Sequence, residues 1–409
     1  MLLTLSTFLL GLTLSCLQTI QADETENPFR KLAPYNADYA FDLFKHLVKL
    51  DPQNDVLISP ISISMATAML SLSANNQTRI QMLKGLGFNL SQTSETDIDK
   101  SFQKLHELFS RSDKILGMSM GNTLFHDENR YMEELISEKA RQYYGLEHLG
   151  VDFQNWGKVC NQINEYMNNK SQGITSDFSL ESTRMVSFIL MNYFFFSGTW
   201  AEAFNPENTM EEDFFVDNET VVKVPMMFQS SLATFLHDTE LHCMVIKMEY
   251  VSDRAAFFIL PDDGDINTII QALSRDTLYN WDMSLSTRNL DLYIPKISLT
   301  GSYDLMEILR IMDIVDIKKD SKNFCDNCDF QVPLSELNHY TKVKFSEEGK
   351  VPAVPQVFTP AVTGKFPPIR FNRPYVVMIF DHSSWSSLFL GKVVNPKKHI
   401  NVTKCPESH

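Results

Sequence analysis

From Val186 to Phe196 the chain reads Val-Ser-Phe-Ile-Leu-Met-Asn-Tyr-Phe-Phe-Phe, apolar almost throughout. A strand with one wet face alternates apolar and polar side chains, so a run without alternation implies a strand buried on both faces. Such a strand requires a large core, which 409 residues can supply. Further strands are expected at Ala255 to Leu260, at Tyr375 to Phe380, at Ser387 to Val394, and where Leu290, Leu292 and Ile294 alternate with Asp291 and Tyr293. Helical spacing comes earlier. Asn36 to Lys49 carries Ala37, Ala40, Phe41, Phe44 and Leu47 on one face. Ser59-Pro60 reads as an N-cap with proline at the first helical position, opening Ile61 to Leu72. Ile98 to Ser110 and Glu133 to Tyr144 are amphipathic candidates. Helices concentrated early and long strands late indicate an α+β fold.

The N-terminus bears on compartment. Leu2 to Leu17 is an apolar stretch, and Ala22 before Asp23-Glu24 offers a signal-peptidase boundary, so residues 1–22 are expected to be a signal peptide. The polar break after Leu17 argues against a retained membrane anchor, which needs about 20 apolar residues. Five Asn-x-Ser/Thr sequons, at Asn76, Asn89, Asn169, Asn218 and Asn401, suit a secreted glycoprotein. With Cys16 in the leader, Cys160, Cys243, Cys325, Cys328 and Cys405 remain, an odd number, so at least one thiol is free or paired between chains. Lys and Arg number 36 against 51 Asp and Glu, a formal net charge of −15, which repels polyanions; no nucleic-acid or membrane partner is expected.

Two motifs suggest chemistry and do not carry it. Gly117-Met118-Ser119-Met120-Gly121 matches a nucleophile elbow, but that motif needs a helix after it, and Asn122-Thr123-Leu124-Phe125 has strand character. Cys325-Asp326-Asn327-Cys328 is half of a zinc site with only the distant His339 nearby. No enzyme activity, cofactor or metal is expected. Between Gly349 and Pro368 stand five of the 17 prolines, which reads as an exposed extended loop between two strands.

In the C-terminal third, Phe371-Asn372-Arg373-Pro374-Tyr375 followed by Leu388-Phe389-Leu390-Gly391-Lys392-Val393-Val394-Asn395-Pro396 resembles the serpin signature and terminal strand pair. Asn192 to Trp200 resembles the serpin breach segment, and Ser59-Pro60-Ile61-Ser62-Ile63 the shutter helix. The resemblance spans roughly residues 33 to 396 and implies one domain, residues 23–396, of three sheets and about nine helices, with residues 397–409 as a tail.

An inhibitory serpin inserts its cleaved loop as a central strand, which the family does with small residues after a Glu-Glu-Gly hinge. Here Glu347-Glu348-Gly349 precedes Lys350-Val351-Pro352-Ala353-Val354-Pro355. Lys350 would bury an ammonium, at several kcal/mol or with loss of its charge. Pro352 and Pro355 lack the N–H a central strand donates. The chain is therefore expected to be non-inhibitory, with proteases meeting its loop as substrate.

Among serpins, the similarity is to the hormone carriers, through Val224 to Ser231, Ala272 to Thr277, Asp291 to Lys296 and Phe380 to Leu388. This implies a secreted, monomeric carrier of a small hydrophobic hormone, a glucocorticoid or progestogen steroid. The implied site has Trp385 as stacking face, Phe380 as wall, and Arg275, Gln229 and His382 as donors. Tyr279, one helical turn after Arg275, replaces a smaller amide and would narrow the pocket. Without the resemblance these residues read differently. Trp385 would be a core tryptophan, Arg275 a solvated charge, Gln229 a strand-end cap and His382 a structural histidine. Two other functions are open: a suicide inhibitor of a serine protease, and a serpin that has lost both activities.

Overall fold

The computed structural model describes residues 28–110, 117–128, 138–171, 173–174, 188–263, 265–314, 336–350 and 367–397. In chain order the elements are α1 (Pro28–Leu50), β1 (Val56–Ile58), α2 (Pro60–Ser71), α3 (Asn76–Gly85), α4 (Glu95–Phe109), β2 (Met118–Asp127), α5 (Glu138–Tyr144), β3 (Leu146–Val151), α6 (Trp156–Lys170) and β4 (Phe188–Phe196). They continue with β5 (Met210–Phe215), β6 (Val221–Asp238), β7 (Cys243–Glu249), β8 (Arg254–Pro261), α7 (Ile266–Ala272), α8 (Arg275–Ser284), β9 (Ser286–Pro295) and β10 (Ile297–Asp304). The last are α9 (Leu305–Ile311), β11 (Glu336–Phe345), β12 (Ile369–Arg370), β13 (Tyr375–Asp381) and β14 (Ser386–Val393).

All nine residues of β4 are buried. Ile189, Met191, Tyr193 and Phe195 pack with Val159, Ile163 and Met167 of α6. Leu190, Phe194 and Phe196 enter the main core on the other face. The absence of alternation thus has the expected cause. One five-stranded sheet runs β10-β11-β4-β2-β3. In it β11 lies parallel to β4, Glu336 opposite Ile189 through Val343 opposite Phe196. The second sheet runs β1-β14-β13-β8-β7-β6-β9-β12, with β5 on β6. Two of the three expected sheets are joined there, because β6 is 18 residues long and its halves take different partners: β5 pairs up to Met226, and β7 pairs from Thr234. Nine α-helices lie among the described residues.

Asn192 is the polar break in β4, and it is fully partnered. Its Oδ1 accepts from Ser62 Oγ at 3.0 Å and His339 Nδ1 at 2.6 Å, and its Nδ2 donates to Asn122 Oδ1 at 2.9 Å. His339 Nε2 accepts from the Ser59 N–H at 3.3 Å, and burial pulls its pKa down to about 3. Ser59 also caps α2, where Pro60 opens the helix as expected.

The nucleophile-elbow match is strand β2, preceded by Gly117 at φ 56. Cys160 is disulfide-bonded and Cys243 is a free, buried thiol pushed up to about 12 by burial. Cys325, Cys328, Cys405, Asn401 and the expected signal peptide, residues 1–22, lie outside the described residues, as does most of the proline-rich stretch. Asn76, Asn89, Asn169 and Asn218 are all exposed. Among the described residues no helix is long and apolar enough to cross a membrane.

Candidate ligand-binding site

The β13–β14 turn, Asp381 to Ser386, presents the tryptophan. Asp381 Oδ2 accepts from the Ser384 N–H at 2.8 Å and Ser384 Oγ at 2.7 Å. Asp381 Oδ1 lies 3.0 Å from Arg254 Nε, with both side chains buried. Burial lowers the Arg254 pKa from its ordinary value and the Asp381 charge opposes that shift. The His382 N–H donates to the Asp253 carbonyl at 2.8 Å, and Ser386 Oγ to the Ser384 carbonyl at 3.2 Å. Pinned on both sides, Trp385 sits at φ 54, a left-handed conformation that costs a non-glycine residue about 1–2 kcal/mol. The residue is 51% exposed. The core-tryptophan reading is therefore overturned: the turn holds Trp385 outward. Phe380 meets His382 edge-on at 5.3 Å and Trp385 at 6.3 Å, so these three form one aromatic cluster.

Arg275 and Tyr279 sit on α8. Ser274 Oγ caps the helix by accepting from the Thr277 N–H, and buried Trp281 donates to Asp238 Oδ2 at 2.7 Å, anchoring the helix to the end of β6. Arg275 opens α8 as expected from its neighbours, but it is not merely solvated: its Nε donates to Asp38 Oδ1 of α1 at 2.7 Å. Tyr279 is 65% exposed and Met283, one turn later, 69%. Gln229 is no strand-end cap; it lies mid-strand in β6 opposite Leu292. Its Nε2 donates to Ser231 Oγ at 2.7 Å, while its Oε1 is buried without a hydrogen-bond partner among the described residues. An unpaired buried acceptor is unusual in a folded protein.

The turn trio is thus assembled directly. Arg275 lies on α8, which packs against α1 and β6, and Gln229 lies in β6; α1 packs also against β14. A separate cleft of about 600 Å³, with His237, Met244, Ile369 and Arg373 in its wall, includes none of the six predicted site residues. Sequence reading missed Asp381 and Arg254 as the supports of the turn and Asp38 as the partner of Arg275. Asp381 lay within the recognised run, whereas the other two become neighbours only through folding.

The hinge is described as far as Lys350. Gly349 bridges Trp200, the Trp200 N–H donates to the Glu348 carbonyl at 2.9 Å, and the Lys350 N–H donates to the Trp200 carbonyl at 2.9 Å. A Cβ at Gly349 would come within 2.5 Å of Ala203 Cα, so only glycine fits there. Glu347 pairs with Lys296 at 2.8 Å and accepts from Thr209 Oγ1 at 3.0 Å. The Lys350 side chain is exposed. Pro352 and Pro355 fall outside the described residues.

Comparison with known proteins agrees with this architecture. The chain is 46% identical over 402 residues to the corticosteroid-binding globulin of Homo sapiens, covering 96% of this chain and 99% of that protein. It is 41% identical over 397 residues to the corticosteroid-binding globulin of Rattus norvegicus, covering 96% and 99%. Among solved structures, human thyroxine-binding globulin complexed with thyroxine superposes with a TM-score of 0.79 at 31% identity, covering 91% of this chain and 100% of that one. Human glycosylated kallistatin gives 0.80 at 32% identity, with coverage of 91% and 100%. The family model for serpins (serine protease inhibitors) matches residues 34–396. With the signature strands paired, the breach and shutter segments packed around β4, and the hinge following β11, the chain belongs to the serpin family.

Proposed function

We propose that this serpin is a secreted, non-inhibitory, monomeric carrier of a steroid hormone of glucocorticoid or progestogen type. The observation that carries the reading is Trp385: a large aromatic residue, half exposed, kept at a positive φ by a turn built on a buried ion pair. A turn needing only that backbone shape is better served by glycine, so the tryptophan is retained for what its indole touches. A flat apolar ring system lies well on an indole face, with Phe380 as its wall. Arg275 and His382 can donate to ketone or hydroxyl oxygens, and Gln229 Oε1 can accept from a hydroxyl, the mixture small-molecule sites use. Tyr279 and the neighbouring Met283 form an exposed apolar step on α8 that restricts the shape of the ligand.

The names of the relatives support the class of ligand, and the hinge supports the absence of inhibition. Insertion would have to bury the Lys350 ammonium and accept two prolines in a central strand. The test is equilibrium binding of cortisol and progesterone, with thyroxine as control. Saturable binding of a steroid at one site per chain, at submicromolar affinity, is expected. Binding of thyroxine alone, or of none of the three, would overturn the steroid reading. An SDS-stable complex with a serine protease would overturn the non-inhibitory one.

A further inference from the structure

The β5–β6 hairpin carries two exposed apolar side chains that neither the core nor the candidate site uses. Phe215 and Val221 are 46% and 49% exposed and stand directly opposite each other in the antiparallel register, so they share one face. They form an apolar step at the base of a tight turn, on a strand that pairs within the sheet only with β6 among the described residues. The Phe215 N–H donates to the Asn372 carbonyl at 2.8 Å, so the backbone there is partnered, and what stays uncovered is the apolar side-chain surface. Asp217 builds the turn: its Oδ1 accepts from the Glu219 N–H at 2.8 Å and the Thr220 N–H at 2.7 Å. Asn218 takes no part in these bonds; it is exposed at the tip and begins the sequon Asn218-Glu219-Thr220.

We infer that Asn218 carries an N-linked glycan whose first N-acetylglucosamine lies on the Phe215 ring and covers the Phe215–Val221 step. In its formation the Asn218 side-chain nitrogen bonds to the anomeric carbon of a lipid-diphosphate-linked oligosaccharide. The carbon–oxygen bond to the diphosphate breaks, and the displaced amide proton passes to solvent. The axial C–H groups of the sugar's apolar face then meet the electron-rich face of the ring, the weak C–H attraction aromatic rings offer. Phe215 stands three positions before the acceptor, at the base of the hairpin whose turn carries Asn218. The other described sequons lack this arrangement. The residue three before Asn169 is Tyr166, but its ring is already engaged by Phe125 and Lys170. The corresponding residues before Asn76 and Asn89 are Ser73 and a buried Leu86.

The inference rests on the secretion proposed above, and the experiment separates the two. The full chain is expressed in secretory mammalian cells and its glycopeptides are read by mass spectrometry. Thermal unfolding is then measured for the wild type, Phe215→Ala, Asn218→Gln and the double variant. Occupancy at Asn218 is expected. Asn218→Gln should lower Tm by about 1–2 °C when Phe215 is present and not at all when it is combined with Phe215→Ala, a coupling that a glycan lying elsewhere would not produce. Trimming the glycans to a single sugar should preserve the effect. An empty Asn218 on a chain glycosylated at its other sequons overturns the inference and leaves secretion standing. Equal Tm losses in both backgrounds overturn the stacking. A chain without any glycan, retained in the cell, overturns both.

Discussion

Trp385→Ala tests the site most directly, and its size can be worked from the structure. About half of the residue is uncovered, and a tryptophan contributes roughly 150–250 Å² of surface. A flat ligand seated on the indole therefore removes on the order of 100 Å² of it from water. At about 25 cal/mol per Å² that is worth about 2.5 kcal/mol, or a Kd about 70-fold weaker once the ring is gone. The assay is equilibrium steroid binding beside tryptophan fluorescence. Of four tryptophans, Trp200 and Trp281 are buried and Trp156 is half-buried at the start of α6, so the share of ligand quenching that comes from Trp385 is the share lost in Trp385→Phe. Trp385→Gly supplies the internal control. At φ 54 glycine avoids the left-handed penalty that alanine keeps, so the Gly variant should be more stable than the Ala variant by about 1 kcal/mol yet bind equally poorly. A Kd in Trp385→Ala within threefold of a wild type that binds would refute the reasoning. So would recovery of affinity in the Gly variant, which would mean that turn strain and not the indole governs binding.

Other consequences follow from the same geometry. Neutral His339 is held in the core with a pKa near 3, below its unfolded value near 6.5; its contribution is complete above that value and fades as pH falls. Stability should drop by about 2 kcal/mol between pH 7.5 and 5 in urea unfolding. A His339→Gln variant should show a shallower slope, and identical slopes would refute the assignment. Asp381→Asn leaves the Arg254 guanidinium buried without its counter-charge, at a cost of about 3–5 kcal/mol, read as a lowered Tm together with lost steroid binding. Unchanged binding there would mean that the turn does not position Trp385. The Arg275–Asp38 pair is half exposed, so breaking it from either side should change stability by less than about 0.5 kcal/mol. Arg275→Ala should weaken steroid binding about tenfold, whereas Asp38→Ala should not; equal losses would make the pair structural and remove Arg275 from the site.

Local patterns along the chain determined a good deal. The unbroken apolar run of β4 required cover on both faces, Ser59-Pro60 marked the start of α2, and the alternation of Leu290, Leu292 and Ile294 marked β9, because helix period, strand period and capping are properties of neighbouring residues. The run around Trp385 singled out a turn of interest, and five sequons could be counted. Exposure and long-range partnership could not be read this way. Whether Trp385 faced core or solvent depended on the Arg254–Asp381 contact, which exists only because β8 and β13 pair in one register. Gln229 became a mid-strand residue with a buried unpaired oxygen, and Arg275 found Asp38 across 237 positions of chain. Phe215 and Val221 became one exposed step only when the hairpin closed. A residue's type sets the chemistry it can perform, but strand register and helix docking decide which groups stand close enough to perform it together, and those depend on contacts far apart in sequence.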